Sequence, residues 1–166
     1  MRLEMQNMSE IKEQYYNIKE KNLRIRRIKI GDFQKGHITL LSQLTEVGEI
    51  GHEEYQEFLN YIQKRNSTHY IIVIEDIDTK RIVGSGTLII EQKLIHNLGR
   101  VGHIEDIVID KSYRGFGLGK LIIQHLKDKA DGMACYKILL NCNRENVGFY
   151  NKCGFNEKDV GMRCNL

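Results

Sequence analysis

The segment Arg114-Gly115-Phe116-Gly117-Leu118-Gly119-Lys120 carries a glycine at every second position. It follows an Ile- and Val-rich run over 101–109 and opens into Leu118, Leu121, Ile122, Leu126 and Ala130 at helical spacing. Free N–H groups at a helix start, beside glycines that let backbone approach a ligand, make a site for a phosphate. The spacing decides which kind. A P-loop needs G-x-x-x-x-G-K-[S/T], but Lys120 is followed by Leu121, and no glycine precedes Gly119 by five. A dinucleotide fingerprint needs G-x-G-x-x-G, and the register here is one residue short. Both readings fail, which leaves another phosphate loop or a glycine-rich turn that binds nothing.

Arg114-x-x-Gly117-x-Gly119 resembles the R/Q-x-x-G-x-G/A loop of the GNAT acetyltransferases. Downstream, Asn146-Val147-Gly148-Phe149-Tyr150-Asn151-Lys152-Cys153-Gly154-Phe155 resembles a second signature of that superfamily. Asn146 and Tyr150 are four apart, so one helix face carries both. A phenol there can give a proton to a departing thiolate. The alternative for Tyr150 is a half-buried side chain with its hydroxyl satisfied.

Gln43-Leu44-Thr45-Glu46-Val47-Gly48, Ile89-Ile90-Glu91-Gln92-Lys93-Leu94-Ile95-His96, Gly102-His103-Ile104-Glu105-Asp106-Ile107-Val108-Ile109 and Cys135-Tyr136-Lys137 narrow the likeness to the glucosamine-6-phosphate N-acetyltransferases. It covers about residues 23–166 and leaves out an N-terminal arm, 1–22. It implies acetyl transfer from acetyl-CoA to the 2-amino group of glucosamine 6-phosphate, on the route to UDP-N-acetylglucosamine. It implies a cytoplasmic homodimer whose sites draw on both chains and whose last strand is exchanged. Ile107, Val108 and Ile109 would contact the acetyl and pantetheine parts of the coenzyme. The backbone from Gly115 to Lys120 would hold its pyrophosphate, with Arg114 and Asn146 beside it. Thr45, Lys93, Leu94, Ile95, His96, Glu105, Asp106, Ile107, Tyr136 and Lys137 fall at sugar-phosphate positions, and Tyr150 at the thiolate-protonating one.

The residue chemistry fits this implication. A sugar phosphate needs cations, and Lys93, His96 and Lys137 offer them from separate segments. Hydroxyls and an ammonium need acceptors, which Glu105 and Asp106 can supply. Neighbours on a strand point oppositely, so only one of these two carboxylates faces the substrate unless a bulge intervenes.

Two positions depart from the family. Asn141 stands in Leu140-Asn141-Cys142 where the family has an acid. An amide is no general base, though it can orient an amine or a thioester. At the C-terminal end, Met162 is followed by Arg163-Cys164-Asn165, where the family has Arg three residues after Met. Arg163 and Asn165 share a strand face, so Arg163 can serve from two residues back.

The elements that must position these residues follow from periodicity. Leu23 to Ile30 alternates apolar and basic side chains, which suggests an edge strand. Residues 40–47 and 52–65 read as helices, 70–77, 82–91 and 101–109 as strands, 117–131 as a helix, 136–142 as a strand and 146–153 as a short helix. Val160, Met162 and Cys164 alternate as a last strand. Residues 1–21 read as a frayed arm or short helix. The predicted order, β-α-α-β-β-β-α-β-α-β, is a single α/β (α+β) domain of GNAT type, with a mixed, mostly antiparallel sheet and flanking helices.

With 166 residues, 25 Lys and Arg against 22 Asp and Glu, and no apolar run near ~20 residues, the chain reads as globular, with no nucleic-acid partner and no membrane span. Its four cysteines, Cys135, Cys142, Cys153 and Cys164, form no C-x-x-C pair, so no metal is expected and the thiols read as reduced. Two other functions stay open. One is a GNAT enzyme for another primary amine (a polyamine, an aminoglycoside or a protein amine), which the cations disfavour. The other is a module that binds acetyl-CoA without turnover, which Asn141 keeps in play.

Overall fold

The uninterrupted apolar run Tyr70-Ile71-Ile72-Val73-Ile74 has no polar face to offer water, so it belongs at the centre of a layered fold. In the computed structural model, which describes residues 13–64 and 68–165, this run lies in strand β3 (His69–Asp76) of a six-stranded sheet. The other strands are β1 (Gln14–Ile18), β2 (Lys21–Arg27), β4 (Arg81–Gln92), β5 (Arg100–Ile109) and β6 (Cys135–Leu139). They lie side by side in chain order. Every neighbouring pair is antiparallel except β5 and β6, which are parallel. A parallel pair needs a crossover, and helix α4 (Leu118–Gly132) provides it.

Alternate β3 side chains feed two apolar layers. Ile72 and Ile74 join Leu23, Ile25, Ile122 and Leu126 under α4. Ile71 and Val73 join Leu40, Tyr55, Leu59 and Ile62 under α1 (His37–Leu41) and α2 (His52–Lys64). Two shorter elements, α3 (Ile95–Leu98) and α5 (Val147–Asn151), flank the β6 side of the chain order. A polar bridge ties α1 and α2 to β4. His37 Nε2 lies 3.0 Å from Ser85 Oγ, and its Nδ1 lies 3.0 Å from the Tyr55 hydroxyl. Burial lowers the His37 pKa to about 4, so the bridge is uncharged at neutral pH.

Several expectations change. Strand β1 lies in the stretch read as an arm; residues 1–12 of that arm lie outside the described residues. Its hairpin with β2 turns through Lys19 and Glu20, both left-handed (φ 49° and 64°) without a glycine or asparagine to mark the turn. Strand β2 is therefore interior, not an edge. Helix α1 stops at Leu41 and leaves Leu44 partly in water, so the apolar spacing up to Val47 does not continue the helix. Strand β6 ends at Leu139, and α5 spans only Val147–Asn151. The expected last strand is absent among the described residues: Val160 is 89% and Met162 96% exposed.

With β2 inside the sheet, Arg26 is almost fully buried. It donates to both Asp32 oxygens (2.8 and 2.6 Å) and to Glu75 (2.8 Å), which Arg24 and Lys35 also reach. Burial alone would raise the Glu75 pKa. Hydrogen bonds from Lys35, Arg24 and Arg26 outweigh it and bring the carboxyl from 4.5 down to about 2. A depressed carboxylate contributes its stability above the unfolded value and loses it as pH falls through the folded value. In urea unfolding, Glu75 should therefore account for a loss of about 3 kcal/mol between pH 4.5 and pH 2, and Glu75→Gln should flatten the slope by that share. An unchanged pH slope in the variant would contradict this role.

Candidate active site

The site begins with a defect in the sheet. Ser85 pairs with Val108 and Thr87 with Glu105, so the single residue Gly86 faces both Asp106 and Ile107. Asp106 takes a left-handed backbone (φ 53°), which aspartate tolerates better than most residues other than glycine. Gly86 is required opposite it: a Cβ there would lie 2.6 Å from both Ile107 Cδ1 and Ile122 Cγ2. The bulge that would free Glu105 and Asp106 from strict alternation is thus present. Glu105 is half-buried and Asp106 exposed.

From Ile104 onward, across the bulge, β5 has an open edge. Its pairing with β6 runs from Arg100 and Cys135 to His103 and Leu139 and ends there. Residues 104–109 continue with no β6 partner, so their outward N–H and C=O groups can pair with an extended ligand.

That edge runs into the glycine loop. Gly115 and Gly117 are both left-handed (φ 79° and 78°), with no atom within 4 Å of where a Cβ would stand. The loop thus keeps open space beside its backbone. Gly117 caps α4 without any side-chain hydrogen bond, so the first helical N–H groups are free for an anion. Gly119 gives room to Phe149, whose ring lies 3.1 Å from its Cβ position. Arg114 and Lys120 are exposed. Lys120 and Gly117 line a shallow groove of about 410 Å³ with Ile18, Leu121, Gln124 and Lys152.

Residues that motif reading missed brace this loop. Asp110 accepts from the Ser112 N–H at 2.9 Å, capping the turn Lys111–Tyr113. Gln43 clasps it, donating to Asp110 and accepting from the Lys111 N–H, each at 3.0 Å. The Tyr113 hydroxyl donates to Asp76 at 2.5 Å. Asp110-x-Ser112 is an Asx turn that the sequence could have disclosed. The Gln43 and Asp76 contacts span the chain and carry no local signal.

Tyr150 sits half-buried against the rings of Phe149 (5.0 Å) and Phe155 (6.2 Å). Its hydroxyl makes no protein hydrogen bond among the described residues, so no protein acceptor holds the proton it would donate. Burial raises its pKa, and the nearby acidic groups Cys142, Cys153 and Glu105 add to the rise, so the phenol keeps its proton at neutral pH. Asn146, at the start of α5, is exposed, as is Asn141 just past β6. Gly161 passes close to Asn141, with its Cβ position 3.3 Å from Asn141 Oδ1.

Of the sugar-phosphate candidates, the fold gathers three. The His96 ring stacks on Tyr136 at 4.4 Å, and Lys137 Nζ lies 5.7 Å from the same ring. His96, Asn97 and Leu98 are all left-handed, a strained turn closed by the Lys93 N–H on the Gly99 carbonyl at 2.9 Å. Leu94 and Ile95 on that turn are exposed. Lys93 is held by Glu91, which also takes His103 Nε2 at 3.0 Å, a clamp that sequence reading did not foresee. Thr45 lies in the exposed loop after α1, its N–H on the Leu41 carbonyl, and among the described residues it makes no hydrogen bond to the other candidates. Arg163 and Asn165 meet each other (2.7 Å) in the exposed final segment and touch none of the rest among the described residues.

Residues 36–155 match the Acetyltransferase (GNAT) family. The chain is 42% identical over 146 residues to "Glucosamine 6-phosphate N-acetyltransferase 1" of Dictyostelium discoideum, spanning 88% of this chain and 92% of that protein. It is 41% identical over 139 residues to the "Glucosamine 6-phosphate N-acetyltransferase" of Arabidopsis thaliana, spanning 84% of this chain and 93% of that one. A crystal structure of glucosamine-6-phosphate N-acetyltransferase from Arabidopsis thaliana superimposes with a TM-score of 0.85 at 40% identity, over 87% of this chain and 98% of that one. A bulged strand with an open edge, an uncapped glycine loop and a protonated tyrosine therefore sit in a chain that belongs to the GNAT acetyltransferases, and within them to the glucosamine 6-phosphate N-acetyltransferase family.

Proposed function

We propose that the protein is a cytoplasmic enzyme that transfers the acetyl group of acetyl-CoA to the 2-amino group of glucosamine 6-phosphate, releasing N-acetylglucosamine 6-phosphate and coenzyme A. One observation carries this: the unpaired β5 edge runs past the bulge and leads, through the turn Lys111–Tyr113, into the glycine loop. Coenzyme A has the matching order of groups. Its pantetheine amides can pair with Ile107, Val108 and Ile109 as a short strand would. Its diphosphate fits the free N–H groups from Gly115 to Lys120, with Arg114 and Asn146 beside it. The thioester then lies at the bulge, where an unpaired backbone N–H can polarise its carbonyl.

The amine nitrogen attacks the thioester carbon, the C–S bond breaks and the leaving sulfur takes the Tyr150 proton; the new amide nitrogen gives one proton up to solvent, and solvent returns one to the Tyr150 phenolate. Glucosamine's amine is partly neutral near pH 7, because electronegative substituents adjoin it. Positioning by Glu105, Asp106 and Asn141 then suffices without a strong base. His96, Tyr136 and Lys137 form the phosphate end, with Lys93 beside them. A polyamine would be repelled by these cations. Thiol release from acetyl-CoA should depend on glucosamine 6-phosphate, and thiol release independent of any amine would refute the reading.

Asn141→Asp tests the positioning account, since it installs the family's acid. It should change kcat by no more than about tenfold, about 1.4 kcal/mol in barrier height. A far larger gain would mean that a base had been missing.

The active unit in this proposal is a homodimer that exchanges its last segments. The alternation of Val160 and Met162 suits a half-buried strand, yet within one chain both lie in water, as do Leu94, Ile95, Leu98 and Leu139. A partner would cover them, and would present Arg163 and Thr45 to the neighbouring sugar phosphate. Sedimentation should show a dimer that Met162→Asp weakens at least about tenfold. A monomer at micromolar concentration would contradict the exchange.

A further inference from the structure

The β1–β2 hairpin lies outside the residues that match the family, 36–155, and no coenzyme role attaches to it from sequence. Its tip nevertheless reaches the glycine loop. Lys19 Nζ donates to the Gly115 carbonyl at 3.2 Å and lies 4.7 Å from the centre of the Phe116 ring. The neighbouring Lys21 lies 5.8 Å from the Tyr113 ring. The tip is itself fixed. Lys19 and Glu20 form its two-residue left-handed turn, and Tyr16 anchors the hairpin through its hydroxyl, 3.0 Å from His125 Nε2 on α4. Ile18 lines the same groove as Gly117 and Lys120.

The bond to Gly115 has a consequence across the peptide. In a trans peptide the C=O of one residue and the N–H of the next point in opposite directions. Holding the Gly115 carbonyl on the hairpin side therefore directs the Phe116 N–H to the other side. That N–H has no protein acceptor among the described residues, as expected of a ligand-facing donor. The peptide turns about Gly115 ψ and Phe116 φ, and Gly115, left-handed and unhindered, puts little steric resistance in the way of that rotation. A flip would turn a carbonyl toward the diphosphate where an N–H is needed.

We propose that Lys19 is a positioning residue for the coenzyme: it locks the peptide joining Gly115 to Phe116 with its N–H toward the diphosphate. This rests on the proposal that the loop holds that diphosphate. The cation also adds favourable charge, but its specific work is to set the direction of a backbone donor.

Calorimetric binding of three ligands separates the possibilities: coenzyme A, 3′-dephospho-coenzyme A and pantetheine. Lys19→Ala should weaken the first two by about tenfold, the scale of one charge-assisted hydrogen bond, and leave pantetheine unchanged. Lys19→Arg should restore most of the loss. In the free protein, the Phe116 amide resonance should broaden or shift in Lys19→Ala while thermal stability stays the same. An equal loss for pantetheine, or no loss for any ligand, would overturn the proposal. A loss confined to coenzyme A would assign Lys19 to the 3′-phosphate and overturn it as well. If the unmodified protein binds pantetheine as tightly as coenzyme A, the diphosphate reading of the loop fails first, whatever Lys19 does.

Discussion

Plain glucosamine should be acetylated with a kcat/KM roughly 10³-fold below that of glucosamine 6-phosphate. The phosphate is remote from the reacting amine, and binding energy from such a group can hold the amine against the thioester. Charge-assisted contacts are worth about 1.5–3 kcal/mol each, and the cluster of His96, Tyr136 and Lys137 offers at least two. Lys137→Ala should cost about one such contact with glucosamine 6-phosphate and little with glucosamine. Arg163→Ala should show the same substrate-dependent loss if the exchanged segment brings it to the phosphate, whereas Asn165→Ala should not. Steady-state rates for each enzyme on both substrates make the comparison. Equal losses on both would mean that these residues support the fold or the dimer and do not bind the phosphate.

Tyr150→Phe should lower kcat by about 10–10³-fold with little change in the KM for either substrate. The ring would still pack on Phe149 and Phe155, so the variant removes the proton and little else. The raised pKa of Tyr150 means that the phenol is protonated across the neutral range and can act as an acid there. The loss should shrink with an acetyl donor whose leaving thiol is more acidic, because a better leaving group needs less protonation. Unchanged kcat in the variant would mean that solvent protonates the thiolate.

Local pattern disclosed most of this chain. The strands that carry the site are β-branched runs, and α4 follows its apolar spacing. The glycine loop and Tyr150 carry signatures that depend on short-range backbone needs. The bulge was legible only as a condition, because two adjacent carboxylates cannot share a face without one. What pattern could not disclose depends on distant partners. Strand β1 is polar and turns without glycine, so only its pairing with β2 and the Tyr16–His125 contact define it. Arg26 looked like one face of an edge strand and is buried because Asp32 and Glu75 neutralise it from other segments. The final segment alternates as a strand does, but among the described residues it pairs with no other strand. The Glu91 clamp on Lys93 and His103 joins two strands whose register the sequence alone does not fix.

The most direct test of the central claim is a competition. The protein is incubated with acetyl-CoA and an equimolar mixture of glucosamine 6-phosphate, spermidine and an aminoglycoside, and the products are identified by mass spectrometry and counted against released thiol. The account predicts that one acetyl group appears on the amine of glucosamine 6-phosphate for each thiol released, with the polycationic amines untouched. Acetylated spermidine or aminoglycoside as the main product, or thiol release without any acetylated amine, would contradict it.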